Sequence, residues 1–364
     1  MGNVRIRYRM TEDGTPVPFA RVYGVEEHGI RREAIDHHAL MVIRRLRKAG
    51  HAAYVVGGAV RDLLLGKHPK DFDIVTCATP GRIKRLFPYA RVIGRRFRLV
   101  HVYVTKEEYV EVTTFRSARA DDPNAYGSIE EDAFRRDFTV NALYYDPFSE
   151  EILDFVDGFT HVRERRLVPI IPLDRIFEED PVRMLRAVKY HARMELEMPK
   201  ELVRKIRDDA WRLEEVSASR LTEEIYKILA CGEASSVWDA LQRFHLFDHL
   251  LPHVHEVLGA AGPGIPHERW REEFERLDRL VREGEVDRDA LIVPFARLFV
   301  ERDGMRELPF KELYRAFKEF LRPFTPPNRD VDAALRRVLR KRRRKRRRRR
   351  CVRHAAVQDA RGEG

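Results

Sequence analysis

The chain has 364 residues, enough for two or three packed units, and its 70 Lys and Arg residues exceed its 59 Asp and Glu residues by 11. The run from Arg340 to Arg350 contributes 11 positive charges, so the rest of the chain is close to neutral. No run of 18 apolar residues occurs, which argues against a membrane span, and the N-terminus lacks the charged-then-apolar pattern of a secretion signal. The three cysteines, Cys77, Cys231 and Cys351, are far apart in sequence, which argues against a disulfide framework. We therefore expect a soluble, cytoplasmic protein with reduced thiols.

Predicted strands concentrate in residues 34–156, which we expect to form a compact head. Residues 1–33 are polar, and Thr15-Pro16-Val17-Pro18 argues against regular structure, so an irregular arm is predicted there. The head begins with a predicted helix over Ile35–Ala49, ended by Gly50. Short strands then alternate with helical pieces, among them strands at Arg91–Ile93, Leu99–Val104 and Tyr109–Phe115.

Helical periodicity takes over beyond Asp157. We assign residues 157–255 to a helical neck, 256–339 to a helical body and 340–364 to a basic disordered tail. The segment from Pro252 to Pro266 is the predicted linker within the helical part. The fold class predicted is α+β, a small mixed-sheet head followed by an all-helical neck and body. The predicted helices are Pro181–Arg193, Pro199–Arg212, Ser219–Leu229, Ala234–Arg243 and Glu268–Arg282.

A glycine pair interrupts the first apolar strand of the head. The run Ala52–Val56 predicts a buried strand, Gly57 and Gly58 form the turn, and a short helix opens after them. Glycines at a strand-to-helix turn let backbone N–H groups approach a phosphate closely. Arg61 is placed to add a bidentate contact to the same anion.

Two carboxylates follow this turn. Asp71 and Asp73 stand at i and i+2 of a predicted strand and therefore point to the same face. Taken alone, such a pair is typical of a solvated strand end. Beside a triphosphate pocket, paired carboxylates favour a divalent cation, and the combination predicts metal-dependent nucleotidyl transfer.

With these residues the chain resembles the class II nucleotidyltransferases of the polymerase-β-like superfamily, the family of bacterial poly(A) polymerases and CCA-adding enzymes. The segments Gly57-Gly58-Ala59-Val60-Arg61-Asp62 and Asp71-Phe72-Asp73 match its first motif. The resemblance implies a nucleotidyltransferase head, ATP as substrate and an RNA 3′ end as acceptor. It also implies two metal ions held by Asp71 and Asp73, Mg²⁺ with Mn²⁺ as the alternative.

Glu111 is a candidate third carboxylate. It shares one face of its predicted strand with Thr113, opposite Val110 and Val112. The other interpretation is a surface glutamate on an edge strand. In the family a similar strand closes the catalytic site, which favours a catalytic role for Glu111.

The block Arg135-Arg136-Asp137-Phe138-Thr139-Val140-Asn141 matches the family's second motif. Its charged residues are compatible with a surface cluster of ion pairs, whereas its apolar residues favour a buried element that fixes Arg136, Asp137 and Asn141. The resemblance implies that Arg136 contacts the phosphates or sugar of the nucleotide and that Asp137 serves the active site. Whether Asp137 or Glu111 completes the metal site stays open.

The third block begins at Asp180, a predicted N-cap followed by Pro181 at the first helical position. An ordinary capped amphipathic helix would carry the same pattern. The resemblance implies that Asp180 and Arg183 read the edge of the nucleobase, with Arg186 on the same polar stripe.

The segment Gly94–Val102 is similar to the poly(A) polymerase branch of the family. The implied reaction is transfer of AMP from ATP to the 3′-hydroxyl of RNA, with the basic tail anchoring the RNA backbone. Two alternatives are a CCA-adding tRNA nucleotidyltransferase and a non-catalytic RNA-binding relative. The non-catalytic alternative is disfavoured because the residues of the expected site, Asp71, Asp73, Arg61 and Arg136, are all intact.

Overall fold

The computed structural model describes residues 4–10, 13, 15–94, 99–117, 125–259, 264–284 and 286–340. The chain divides into two compact units. The first, here called the sheet unit, comprises Met1–Glu179 and Met194–Leu202, and the second, the helical unit, comprises Asp180–Arg193 and Val203–Gly364. Within the residues described, no helix combines the length and apolar character needed to cross a membrane.

The sheet unit is built on one mixed sheet of nine strands in the order β1-β2-β9-β8-β3-β4-β7-β6-β5. Among the described pairings, β4 and β7 run parallel and every other pair is antiparallel. The predicted mixed sheet and the α+β class are confirmed. The strands are β1 (Arg5–Met10), β2 (Pro16–Tyr23), β3 (Ala53–Val56), β4 (Asp73–Thr76), β5 (Ala90–Ile93), β6 (Leu99–Tyr103), β7 (Tyr109–Thr114), β8 (Leu143–Asp146) and β9 (Glu151–Asp154).

The irregular arm predicted over residues 1–33 is wrong, because β1 and β2 form an antiparallel pair there. Pro16 and Pro18 pair with β1 on one side, whereas β9 pairs with β2 only at Arg21–Tyr23. A proline is tolerated in a strand where its missing N–H faces the unpaired side. The prolines therefore mark the free edge of β2 and not a break in it.

Short helices cover the sheet and position its loops. Asp36 caps the N-terminus of the helix α2 (His37–Lys48), and its carboxylate accepts hydrogen bonds from the His38 and Ala39 N–H groups. Together with α4, this helix packs against β3–β7, where Val100, Val102, Val110 and Val112 are buried. The helices of the sheet unit are α1 (Val25–His28), α2 (His37–Lys48), α3 (Gly58–Leu64), α4 (Pro80–Leu86), α5 (Ile129–Phe134), α6 (Gly158–Arg163) and α7 (Ile176–Glu179), with 3₁₀ turns at Arg32–Ala34 and Thr139–Asn141.

The helical unit packs around an aromatic core in which the Trp238 and Trp270 rings lie 6.0 Å apart in an edge-to-face arrangement. The five predicted helices are confirmed in position. The predicted linker is partly wrong, because Pro252 opens α13, where a proline at the first helical position fits. The helices are α8 (Val182–Met194), α9 (Lys200–Asp209), α10 (Ala218–Leu229), α11 (Ala234–Arg243), α12 (Phe247–Leu250), α13 (Pro252–Val257), α14 (His267–Arg282), α15 (Arg288–Leu291), α16 (Val293–Glu301) and α17 (Phe310–Phe320), with a 3₁₀ turn at Ala210–Glu215 and a helix over residues 328–340.

The predicted domain boundaries differ from the division into units. Residues 157–179 belong to the sheet unit, although the neck was expected to begin at 157. The chain crosses between units at 180, 194 and 203, so α8 belongs almost entirely to the helical unit and the segment after it to the sheet unit. The predicted tail lies outside the described residues from 341 onward. The separation of a neck from a body stays a prediction.

Candidate active site

The predicted glycine turn joins β3 to α3. Gly57 has φ +76°, a left-handed conformation that favours glycine. A Cβ atom at Gly57 would lie 3.7 Å from Arg136 Nη1 and 3.8 Å from Asp73 Oδ2. The turn therefore brings together one residue from each of three predicted site segments.

Arg61 connects the turn to the second motif. Its side chain is buried, Nη1 donates to Asn141 Oδ1 at 2.5 Å, and Nε and Nη2 donate to Asp62 Oδ1 at 2.9 and 2.7 Å. Asn141 Nδ2 in turn donates to Asp137 Oδ1 at 3.2 Å. A Cβ at Gly58 would lie 3.3 Å from Arg61 Nη2, so the second glycine leaves room for this guanidinium. These bonds fix two motifs to each other, and phosphate contact by Arg61 stays a prediction.

Asp73 and Glu111 occupy neighbouring positions on the parallel strands β4 and β7. Ile74 pairs with Val112 and both are buried, so the residues before them point to the opposite face, side by side. The expectation that Asp71 stands on the same strand is wrong, because β4 begins at Asp73. Burial, and then the negative charges of Glu111 and Asp71, raise the pKa of the Tyr109 hydroxyl. Both carboxylates therefore lie near Tyr109.

The donor chemistry of Asp71, Asp73 and Glu111 fits Mg²⁺, which prefers carboxylate oxygens. Within the described part of the chain, the three-residue group whose candidate ligand atoms all lie within 4.8 Å of one another is Asp36, His37 and His38, at the start of α2. The carboxylate oxygens of Asp71, Asp73 and Glu111 do not all lie within 4.8 Å of one another. A two-ion site distributes its ligands over two centres about 3.5–4 Å apart, and so over a wider span.

Sequence reasoning missed Asp132, the partner that holds Arg136. Asp132 Oδ2 accepts from Arg136 Nε at 3.0 Å and Nη2 at 2.8 Å, and its Oδ1 accepts from Arg116 Nε at 2.8 Å. The Tyr144 hydroxyl also donates to Oδ2, at 2.8 Å. Burial raises the pKa of the Asp132 carboxyl, but the charges of Arg136 and Arg116 outweigh it and hold that pKa well below its usual range. The i,i+4 spacing of Asp132 and Arg136 was the available signal.

Asp137 lies in a different environment from Asp73 and Glu111. It is 6% exposed, and its Oδ1 accepts from the Phe138 N–H at 2.8 Å as well as from Asn141. Such bonds fix the conformation of the second motif. The geometry favours Glu111 as the neighbour of Asp73 in the sheet and Asp137 as a residue that positions Asn141.

The third motif lies in the helical unit. Asp180 Oδ1 accepts from the Val182 N–H at 3.3 Å, as an N-cap does, and both Asp180 oxygens accept from Arg220 Nη2 at 2.9 Å. Arg220 was missed because it stands 40 residues away on α10. Arg183 is half-buried, and Arg186 Nη2 donates to the Tyr190 hydroxyl at 3.2 Å.

Comparison with known proteins places these motifs in a family. A family model described as "Poly A polymerase head domain" matches residues 53–168, and one described as "Probable RNA and SrmB- binding site of polymerase A" matches residues 195–258. Poly(A) polymerase I of Salmonella typhi is 41% identical over 260 residues, which cover 67% of this chain. The chain belongs to the poly(A) polymerase and tRNA nucleotidyltransferase family. It spans 56% of the length of that Salmonella relative.

CCA-adding members of the family are also similar to this chain. The CCA-adding enzyme of Lactococcus lactis subsp. cremoris is 36% identical over 201 residues, covering 53% of this chain and 50% of that protein. The crystal structure of the Bacillus stearothermophilus CCA-adding enzyme in complex with CTP aligns with a TM-score of 0.56 at 28% identity, covering 83% of this chain and 82% of that one. The nucleotidyltransferase fold predicted from the sequence is confirmed.

Proposed function

We propose that this chain is a polynucleotide adenylyltransferase that transfers AMP from ATP to the 3′-hydroxyl of RNA and releases pyrophosphate. One observation carries the proposal: a Cβ atom at Gly57 would lie within 4 Å of both a carboxylate oxygen of Asp73 and a guanidinium nitrogen of Arg136. A close backbone approach, an acceptor for a cation and a donor for a phosphate thus meet at one point. The greater identity to poly(A) polymerase I than to CCA-adding enzymes supports the choice of ATP.

Asp71, Asp73 and Glu111 would hold the divalent ions, two Mg²⁺ with Mn²⁺ as the alternative. When bound, such ions neutralise phosphate charge and lower the pKa of the attacking hydroxyl. The protein groups contribute position and charge, and none needs to form a covalent intermediate. Gly57 and Gly58 leave space for the triphosphate, and Arg136, oriented by Asp132, presents Nη1 toward that space.

The remaining motif residues orient these groups or read the base. Arg61, Asn141 and Asp137 form a chain of hydrogen bonds that fixes the second motif against the glycine turn. Asp180, Arg183 and Arg186 are assigned to the nucleobase, where a carboxylate oriented by Arg220 accepts from an exocyclic amino group. The cellular role that follows is polyadenylation of RNA 3′ ends in the cytoplasm, as part of mRNA processing linked to transcription.

A CCA-adding tRNA nucleotidyltransferase is the second candidate, supported by the Lactococcus relative and the CTP complex. The two reactions use the same catalytic groups and differ in base selection and in termination. A purified sample should therefore be incubated with a short RNA and each of the four nucleotides in turn, and the products resolved by length. We expect a long ladder with ATP and little product with CTP. Efficient CTP addition that ends after a defined step of three nucleotides would replace the polyadenylation proposal.

A further inference from the structure

The open face of strands β5, β6 and β7 carries a continuous strip of side chains that leads away from the candidate carboxylates. His101 pairs with Glu111 on β7 and with Arg91 on β5, so these three side chains share one face and one row. Asp73 extends that row on β4. Four strands at a spacing of ~4.8 Å make the row roughly 14 Å wide.

Aromatic rings occupy the centre of this strip. The His101 and Tyr109 rings are stacked, with centroids 3.8 Å apart and an interplanar angle of 14°. Tyr103 pairs with Tyr109, and their centroids lie 5.6 Å apart. The Arg91 guanidinium carbon lies 5.3 Å from the centroid of the Tyr103 ring. We call Tyr109, His101, Tyr103 and Arg91 the aromatic strip.

The aromatic strip is not needed for the core of the sheet unit. The opposite face of the same strands is the buried one, formed by valines under α2 and α4. Tyr109 is 47% exposed, and Arg91 is exposed on the edge strand β5. An exposed tyrosine stacked on a half-buried ring, on an open sheet face, resembles the platforms on which single-stranded nucleic acids lie.

The aromatic strip also adjoins the candidate carboxylates. His101 Nε2 lies 3.8 Å from Glu111 Oε2. The cation of the strip, Arg91, stands two strands away from Glu111, and its guanidinium suits a backbone phosphate.

We propose that the aromatic strip binds the 3′-terminal nucleotides of the acceptor RNA, with the terminal base stacked on Tyr109 and an upstream phosphate held by Arg91. The inference rests on the proposed function, because it assigns the acceptor side of that reaction. Stacking tolerates every base, which suits an enzyme whose own product becomes its next acceptor. The glycine turn and the Asp180 motif are assigned to the incoming nucleotide, so the strip is a separate site.

Binding of 5′-labelled oligoadenylate and of the same RNA with an abasic 3′-terminal nucleotide tests the proposal. Stacking of a base is worth ~1–3 kcal/mol, or roughly 5- to 150-fold in affinity. We expect the wild-type chain to lose affinity by such a factor when the last base is missing, and Tyr109→Leu to bind both RNAs equally weakly. Tyr109→Phe should keep the wild-type preference, and Tyr89→Leu, which alters a 79% exposed tyrosine outside the strip, should keep it too.

Steady-state kinetics separate the acceptor from the nucleotide. Tyr109→Leu should raise the KM for RNA several-fold and leave the KM for ATP within a factor of two. A Tyr109→Leu protein that still distinguishes the abasic RNA, or one whose KM changes for ATP alone, would overturn the proposal. Should that variant fail to fold, equal affinity of the wild-type chain for the two RNAs would overturn it as well. A chain that binds RNA with this preference but adds no nucleotide would refute the proposed function and leave the RNA site standing.

Discussion

The buried Asp132 carboxylate and the half-buried Arg136 guanidinium form an ion pair in which one carboxylate oxygen accepts from both Nε and Nη2 of the arginine. The pair uses one edge of the guanidinium. The remaining nitrogen, Nη1, lies toward Gly57 and donates to the Asn141 carbonyl oxygen at 3.3 Å. Asp132 thus fixes the direction in which Arg136 points, and Arg116 and the Tyr144 hydroxyl complete its shell of donors.

Asp132→Asn should destabilise the sheet unit by about 3–5 kcal/mol, because it leaves the charges of Arg136 and Arg116 without their buried partner. Chemical denaturation of the full chain measures this change. Glu107→Gln, in the exposed turn between β6 and β7, is the matched acid-to-amide control and should alter stability by less than about 0.5 kcal/mol. Equal unfolding midpoints for the two variants would show that the ion pair carries no stability.

The same carboxylate predicts how stability depends on pH. The pKa of Asp132 is lowered in the folded protein, so its contribution is complete above the unfolded-state pKa of about 4 and is lost as the pH falls through the folded-state value. The difference in unfolding free energy between the wild-type chain and Asp132→Asn should therefore be constant from about pH 8 to pH 5 and shrink in stronger acid. A difference that vanishes already near neutral pH would contradict this assignment.

Arg220→Met should weaken base selection, because Asp180 loses the guanidinium that orients it. Loss of one charge-assisted hydrogen bond corresponds to a change of about ten-fold in the ratio of kcat/KM for ATP to that for CTP. Stability should change by less than about 1 kcal/mol, since the Arg220 side chain is 38% exposed. Arg271→Met, which breaks the exposed pair with Asp239 in the same unit, should leave the ratio unchanged.

Removing the residues after Leu339 should weaken RNA binding without altering the affinity for ATP. Each phosphate contact that is lost lowers the slope of log affinity against log salt by roughly 0.7 for single strands. The tail begins with 11 contiguous cations, and their mutual repulsion keeps some of them off the phosphates at any one time. Salt titrations of full-length and shortened protein that superimpose would show that the tail does not engage RNA.

Local patterns predicted the elements that carry the site, and tertiary pairing supplied the rest. The strand, glycine turn and helix around Gly57 follow from residues adjacent in sequence, and so does the N-cap at Asp180. The partner of Asp180 could not be found that way, because Arg220 is brought to it by helix packing 40 residues further on. The neighbourhood of Asp73 and Glu111 depends on the register between β4 and β7, which no local pattern specifies.

The error at the N-terminus has the same origin. A pair of prolines predicts irregular structure when the strand is considered alone, yet in a part of β2 that is paired on one side only, their missing N–H groups cost no hydrogen bond. Only the position of β2 in the sheet distinguishes the two cases. Sequence patterns identify residues with the chemistry for a site, and long-range pairing decides which of them meet.

Asp73→Asn tests the central claim most directly, because that carboxylate lies beside both the glycine turn and Glu111. The measurement is AMP transfer from ATP to a short RNA under saturating Mg²⁺, with RNA binding followed in parallel and Glu107→Gln as the control. We expect transfer by Asp73→Asn to fall at least about a thousand-fold, since a lost metal ligand removes several kcal/mol of transition-state stabilisation, while RNA binding and folding are kept. Transfer by Asp73→Asn at the rate of the wild-type chain would contradict the assignment of this site.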